Sequence, residues 1–245
     1  MKLELMYGTT NIAFHVIFKN RKTMEIAVEP PNNITVTAPI GTKEEEILKK
    51  VESKGSWIIQ KIYSFKHMNY MPIQREFVNG ESFMYLGRNY SLQIELDSES
   101  DSESGSRGKN PKVKLYRGKF IVKAMDKYEE NIRKAMELWY RDKAKEVIEL
   151  RVKYYQSFFN IEPTEIRIKE QKKRWGSCTS KNELLFNWRC IMAKSNALDY
   201  IVVHEMCHMY HKDHSKEFWE LVASVLPDYE VRKEWLKNYG VRMDL

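Results

Sequence analysis

The sequence has few cysteines and no long apolar run. Its three cysteines, Cys178, Cys190 and Cys207, are an odd number without CxxC spacing, which argues against a disulfide framework and a four-cysteine zinc site. No stretch approaches the roughly 18 apolar residues of a membrane-spanning helix. The first residues interleave polar and apolar side chains, unlike the apolar core of a secretion signal. These absences predict reduced thiols and a soluble, cytoplasmic protein that does not contact a membrane.

Charge of either sign is only moderately in excess. The 41 Lys and Arg against 34 Asp and Glu give a formal net charge of +7, which attracts polyanions weakly and does not by itself identify a nucleic-acid-binding protein. The 245 residues suffice for one large domain or two smaller ones with buried cores.

The first half of the chain is predicted to be mainly β. Alternation in "MEIAVEP" and "NITVTAP" indicates strands. One helix is expected over about 42–68, with Thr42 as its N-cap and Gly55 as a kink or break. Residues 97–110 contain no apolar side chain and are predicted to form a mobile loop between two hairpin strands.

The second half is predicted to be mainly helical around two strands. Residues 127–158 contain no Gly or Pro and repeat apolar residues at helical spacing, which predicts a long amphipathic helix. The segments "EIRIKEQ" and "ELLFNWRCI" are typical of strands. A helix from about Ser195 to His211 follows, and a helix pair is expected after Asp213.

Four of the six histidines lie in "HEMCHMYHKDH", from His204 to His214. His204 and His208 are four residues apart and share one helix face, so both imidazoles can bind one ion at about 2.0–2.1 Å. Glu205 lies about 100° from His204 around the helix and about 60° from His208, so its carboxylate can face water beside the ion without binding the ion. The pattern predicts a zinc site with Glu205 as general base.

Two later histidines compete for the position of third ligand. If the helix continued, His211 would lie about 10 Å along the axis from His204, too far for both to bind one ion. His214, six residues after His208, allows the chain to leave the helix and return beneath the ion. We favour His214. His211 takes the place of the glycine in the metzincin HExxHxxGxxH pattern.

The chain resembles the YgjP-like zinc metallopeptidases in "RWGSC", "FNW", "DYIVVHEMCH" and "DHSKEFW", and also in "RKTMEIAVEP", "SWIIQKI" and "GESFMYLGRNYSLQI". The resemblance implies one zinc ion held by His204, His208 and His214, with Glu205 as catalytic acid and base. Related SprT-like and WLM proteases act on DNA-bound protein. DNA or DNA-bound protein is therefore a candidate partner beside a protein or peptide substrate.

The expected fold is α+β, with a zincin-like metallopeptidase core preceded by a β-rich N-terminal domain. In such a core, helices pack on a small sheet, which backs the histidine helix and offers an edge to substrate. We place the β-rich region at 1–124 and the catalytic domain at 125–245.

Five residues are predicted to support the site. Trp175, Gly176 and Ser177 are expected to line the substrate cleft, with Gly176 allowing close backbone approach; a turn anchored by a buried tryptophan explains them equally well. Asn187 and Asp199 are candidate acceptors for the second N–H of a metal-bound histidine, although capping or a surface contact explains Asp199 equally well.

Positive charge is concentrated beside this turn, at Arg167, Lys169, Lys172, Lys173, Arg174 and Lys181. It is suited to an acidic substrate or a nucleic-acid backbone, although a solvated strand face is the simpler explanation. Phe218 and Trp219 are expected to pack under the metal, and Tyr210 lies about 200° from His208 around the helix, which leaves the oxyanion stabiliser unassigned.

Two functional hypotheses follow. The first is a zinc metallopeptidase that hydrolyses peptide bonds through a zinc-activated water, with Glu205 as general base. The alternative is a nucleic-acid-associated protein, which processes DNA-bound protein or partners a restriction system, and whose zinc site has little proteolytic use. The intact glutamate and the set of only three protein ligands favour the first.

Overall fold

A computed structural model describes residues 1–29, 32–67, 75–96, 111–171 and 174–245. They form two compact units, Met1–Pro72 and Ile73–Leu245. Across these described residues, no helix combines the length and the apolar character needed to cross a membrane.

The first unit is a four-stranded sheet with two helices. Its strands are β1 (Lys2–Tyr7), β2 (Thr10–Lys19), β3 (Glu25–Glu29) and β4 (Asn33–Pro39), in the order β1-β2-β4-β3. β2 and β4 are parallel, and the other pairs are antiparallel. The helices are α1 (Glu44–Ser53) and α2 (Gly55–His67). Alternate strand residues such as Phe14 and Val36 are buried with Ile47 and Ile58 of these helices, because side chains on one face of a strand recur every second residue.

The predicted helix at 42–68 is thus two helices, divided at Gly55 as the sequence suggested. The ring of Tyr7 lies so close to Gly55 that any Cβ there would collide with it. Lys43, rather than Thr42, is the N-cap of α1, because the Thr42 hydroxyl donates a hydrogen bond to the Pro39 carbonyl instead.

The second unit contains a sheet with the same strand order. Strands β5 (Ser82–Tyr85), β6 (Arg88–Leu96), β7 (Lys112–Tyr116) and β8 (Lys119–Ala124) lie in the order β5-β6-β8-β7, with β6 and β8 parallel. β6 and β7 are therefore not neighbours, and the prediction that residues 97–110 connect two hairpin strands is wrong. The predicted mobility of that loop concerns residues outside the described part of the chain.

This sheet packs on the long helix α3 (Glu129–Tyr155). Phe120 contacts Trp139 edge-on at 4.9 Å between ring centroids, and the Tyr140 hydroxyl donates to the Met84 carbonyl at 2.7 Å. The compact units therefore divide before β5, whereas the sequence suggested a division at residue 124. That residues 125–245 carry the catalytic function stays a prediction.

The remaining elements surround one central helix. Strands β9 (Glu165–Lys169), β10 (Gly176–Cys178) and β11 (Glu183–Asn187) form a sheet of order β10-β11-β9, in which β10 is an edge strand antiparallel to β11. A 3-10 turn, Trp188–Met192, leads to α4 (Ser195–Cys207), which α5 (Lys216–Val225) and α6 (Tyr229–Tyr239) follow. The central helix α4 contacts α3, α5, α6 and β10. Its side chains are mostly apolar, so it can be buried on most sides. The fold is α+β, as predicted.

Candidate metal centre

The structure brings His204, His208 and His214 together. His204 lies in the last turn of α4, His208 is the residue that caps its C-terminus, and His214 directly precedes the N-cap of α5. One ring nitrogen of each histidine lies within 4.8 Å of the others. Nε2 of His204 and Nε2 of His214 are 3.1 Å apart.

The turn after α4 explains why His214, and not His211, completes this group. The amides of Met209 and Tyr210 bond to carbonyls three residues back, so the helix ends at Cys207, four residues before the predicted end. His211 then presents its main chain to the site: its carbonyl oxygen lies 2.8 Å from Nδ1 of His208. A proton on Nδ1 donates to that carbonyl and leaves Nε2 of His208 free to bind a metal.

Two aromatic residues hold the histidine rings, as predicted. Phe218 stacks on His208 with ring centroids 4.5 Å apart, and Trp219 stacks on His214 at 5.6 Å. Both belong to α5, whose N-cap Ser215 accepts a hydrogen bond from the Phe218 amide. Because α5 begins directly after His214, a cap and two aromatic residues fix the orientation of the site.

Glu205 is buried beside the histidines. Only 5% of it is exposed, and its Oε2 has no hydrogen-bond partner among the described residues. Burial raises the pKa of Glu205 to about 8, and the charge of Arg174 acts in the opposite direction. A nearby cation would likewise lower the pKa of this carboxyl, since opposite charge favours the ionised form.

The three histidines and Glu205 line one cavity of about 640 Å³. The three predicted cleft residues, Trp175, Gly176 and Ser177, line it together with the histidines and Glu205. Trp175 is also partly buried against the core, and a Cβ at Gly240 would lie 2.8 Å from its ring. Trp175 therefore both anchors its turn and lines the cavity.

The backbone of Gly176 lies close to the side chain of Glu205. A Cβ added at Gly176 would lie 2.6 Å from Cγ and 2.7 Å from Oε1 of Glu205, so only glycine leaves room for the carboxylate under the edge of β10.

We expect Gly176→Ala to lower activity about 10- to 100-fold, because a displacement of about 1 Å at a catalytic group can cost about 100-fold. Overpacking should also lower the free energy of unfolding by about 1–3 kcal/mol. Peptide cleavage rates and urea unfolding would measure both effects. Ser224→Ala, an exposed position on α5 outside the cavity lining, is the control. Unchanged activity in Gly176→Ala would show that the carboxylate position is not critical.

Asn187 does not contact the histidines through its hydrogen bonds. Its Nδ2 donates to the carbonyls of Gln171 at 2.7 Å and Arg174 at 3.4 Å, and its Oδ1 accepts from the Arg189 amide at 3.1 Å. Asn187 therefore connects Gln171 and Arg174 to the end of β11, and the structure gives no support to its predicted role beside a histidine.

Asp199 is also directed elsewhere. It lies five residues before His204, about 140° away around the helix, and pairs with Arg151 at 3.3 Å and Arg232 at 3.9 Å. The residue that does approach His204 is Tyr200, whose hydroxyl is 3.5 Å from Nδ1. Tyr200 was not predicted from the sequence; its position four residues before His204 on the same helix is the signal that could have identified it.

We expect Asp199→Ala to destabilise the fold by about 1–3 kcal/mol, because it removes the carboxylate partner of Arg151 and one of the two carboxylates near Arg232. Metal content should remain unchanged. Denaturant unfolding and elemental analysis would measure these two quantities. Asp228→Ala, which removes an exposed partner of Arg232, is the matched control and should cost less than about 1 kcal/mol. Loss of metal from Asp199→Ala would restore its predicted role at the site.

The remaining residues considered from the sequence lie outside the histidine cluster or outside the described residues. Tyr210 accepts hydrogen bonds from the amides of Asn160 and Ile161, which is a structural role. Arg167 forms ion pairs with Glu165 and Glu183, as expected of a solvated strand face. Lys172 and Lys173 lie outside the described residues. The sequence did not indicate that Lys212 would line the cavity with Arg174.

The donor set fits a transition metal. Imidazole nitrogens suit zinc, copper, iron and nickel, and three protein ligands with an open position are typical of catalytic zinc. Tetrahedral nitrogens at about 2.0–2.1 Å from an ion lie about 3.3–3.4 Å apart, close to the 3.1 Å between His204 and His214. A bound cation would also stabilise the ionised form of the buried Glu205 carboxylate.

One comparison with known proteins, that with family models, agrees with this chemistry. A family model described as "YgjP-like, metallopeptidase domain" matches residues 22–239, which include every residue of the candidate site. A search of curated proteins gave no match. Among solved structures, the chain is similar to the metallopeptidase zymogen of Pyrococcus abyssi abylysin, with 21% identity, a TM-score of 0.33, and coverage of 36% of this chain and 87% of that chain.

Proposed function

The chain belongs to the YgjP-like metallopeptidase family, and from that premise we propose that it is a zinc-dependent peptidase that hydrolyses peptide bonds. The observation that carries the proposal is the placement of three histidine nitrogens within 4.8 Å of one another, in one cavity with a buried glutamate. Membership of a peptidase family implies protein or peptide substrates.

In this proposal His204, His208 and His214 hold one zinc ion per chain. When bound, zinc polarises water and lowers the pKa of that water towards about 7. The main-chain carbonyl of His211 keeps the proton of His208 on Nδ1, while Phe218 and Trp219 hold two of the rings in place.

Glu205 acts as the base and then as the acid. Its Oε2, which has no hydrogen-bond partner in the described part of the chain, accepts a proton from the attacking water, and the carboxyl group then delivers that proton to the leaving amine. Burial favours the protonated form, and positive charge nearby favours the ionised form, so the carboxyl group is suited to both steps. The absence of a side chain at Gly176 leaves room for the carboxylate beneath β10.

The substrate is proposed to lie along β10. This strand is an edge of its sheet, and an extended peptide can add to such an edge through main-chain hydrogen bonds. In this proposal Trp175, Gly176 and Ser177, which line the cavity, form part of the substrate cleft.

Incubation of the zinc-loaded protein with a diverse peptide library, followed by mass spectrometry of the products, tests the function directly. We expect new termini that are absent after chelation and absent with Glu205→Gln. Cleavage that persists undiminished in purified Glu205→Gln would contradict the proposal.

The nucleic-acid-associated alternative finds no specific support. Arg167 is already paired with glutamates, and two of the lysines on which the idea rested, Lys172 and Lys173, lie outside the described residues. DNA as a partner stays a prediction, and repeating the library digestion with single-stranded DNA tests whether DNA activates the enzyme.

A further inference from the structure

Two cations lie at the two ends of β10. Arg174 precedes the strand by two residues and has an exposed side chain. At the other end, Lys212 Nζ donates to the Thr179 carbonyl at 3.1 Å and to Oδ1 of Asn182 at 2.7 Å. Both cations line the cavity that contains Glu205, so a peptide along β10 would pass from one to the other.

Neither cation has a carboxylate partner among the described residues. Other arginines of the same unit do: Arg141 pairs with Glu137 at 2.7 Å, Arg189 with Asp244 at 2.6 Å and Arg232 with Asp228 at 2.8 Å. The hydrogen bonds of Lys212 go to neutral acceptors, which fix its position and leave its charge uncompensated. Positive charge in the cavity is therefore available to a ligand.

The acids of the cavity do not change this balance. Of the described residues that line it, only Glu205 carries a carboxylate, and Glu205 is buried beneath Gly176. An incoming peptide thus meets Arg174 and Lys212 at the level of β10 and the carboxylate only below that strand. Thr179, whose carbonyl accepts from Lys212, lies five residues after Arg174, which is about 17 Å of extended chain, so the two cations face substrate side chains on opposite sides of the centre of β10.

Resting on the proposed peptidase function, we propose that Arg174 is a specificity-determining residue that selects peptides with an aspartate or glutamate beside the scissile bond, assisted by Lys212. The guanidinium group offers paired N–H donors that match a carboxylate. A lysine or arginine at the same substrate position would be repelled. The substrate class is therefore acidic peptide segments.

The test measures binding in zinc-loaded Glu205→Gln, which cannot turn the peptide over. Fluorescent peptides that differ only in Glu, Gln or Lys at the positions flanking the central bond are compared by anisotropy. We expect the Glu peptide to bind about five- to tenfold more tightly than the Gln peptide, as for a partly screened ion pair with charge-assisted hydrogen bonds. The preference should shrink as salt rises.

Substitutions of Arg174 in the Glu205→Gln protein test whether the preference for the Glu peptide depends on Arg174. Arg174→Gln should abolish the preference for the Glu peptide, Arg174→Lys should retain part of it, and Arg174→Glu should favour the Lys peptide. Arg167→Gln is the matched control, because Arg167 belongs to the same sheet and is paired with Glu165. It should leave the preference unchanged. Equal binding of the Glu and Gln peptides, or absence of binding by any of them, overturns the inference.

Two further measurements distinguish this inference from the proposed peptidase function and from a nucleic-acid site. If the wild-type protein cleaves no peptide while the Arg174-dependent preference holds, the proposed function fails and the inference stands. If the wild-type protein cleaves Glu and Gln peptides equally well, the function stands and the inference fails. Single-stranded DNA that binds through Arg174 more tightly than the Glu peptide would identify a nucleic-acid site instead and overturn the inference.

Discussion

Glu205→Gln is expected to retain stoichiometric zinc and to lose peptide hydrolysis by at least about 100-fold. General-base catalysis typically contributes about 10²- to 10⁴-fold, and an amide cannot accept the proton. The substitution hardly changes the shape of the side chain, so the close contact with Gly176 should persist. Since Oε2 has no partner among the described residues, no protein hydrogen bond is lost there.

Metal content by elemental mass spectrometry and product formation by peptide mass spectrometry check the two parts of this result. Glu217→Gln is the matched control, because Glu217 is an exposed glutamate on α5 near the site but outside the cavity lining. It should keep both zinc and activity. Zinc lost from Glu205→Gln would mean that Glu205 binds the metal, which contradicts the role proposed for it.

Local patterns predicted most of the individual elements. The stretch without Gly or Pro at 127–158 predicted α3 because nothing in it interrupts helical spacing. The end of α4 was predicted four residues too late. Its closing turn is formed by main-chain bonds of Met209 and Tyr210, and such a turn needs no glycine or proline to mark it.

Contacts between distant residues could not be predicted in the same way. The parallel pairing of β6 with β8 depends on a connection through β7, and strand propensity contains no information about it. The second unit includes β5 to β8 because this sheet packs on α3, for example through Phe120 and Tyr140. Such a tertiary contact cannot be read from local sequence patterns. The change from strand to helix patterns near residue 125 therefore marks the start of α3, whereas the compact unit begins at Ile73.

The site shows the same division between local and distant information. The spacing of His204, Glu205 and His208 on one helix is local, so their proximity was predictable. The hydrogen-bond neighbours of the histidines were not predicted correctly. Residue type suggested Asn187 and Asp199, whereas the structure places the Tyr200 hydroxyl and the His211 main chain beside the rings. Main-chain acceptors leave no signal in residue type.

His214→Ala is expected to empty the metal site and abolish activity, whereas His211→Ala should keep the metal. His214 contributes a ring nitrogen 3.1 Å from that of His204, and two imidazoles alone hold zinc poorly. His211 contributes its carbonyl oxygen to His208, and alanine retains that atom. We therefore expect His211→Ala to lose less than the about 10- to 100-fold typical when the hydrogen-bond partner of a metal ligand is removed.

Dialysis of both variants against a mild chelator, followed by elemental analysis, compares them directly, and the control is wild-type protein treated in the same way. His214 is exposed, so its substitution should leave the fold intact, and circular dichroism would verify this. Trp219 loses a stacking partner in His214→Ala, which can loosen α5 but cannot supply a missing ligand. If His211→Ala lost its zinc while His214→Ala stayed loaded, the ring of His211 would be the third ligand, and the turn after Cys207 would have to rearrange to bring it to the metal.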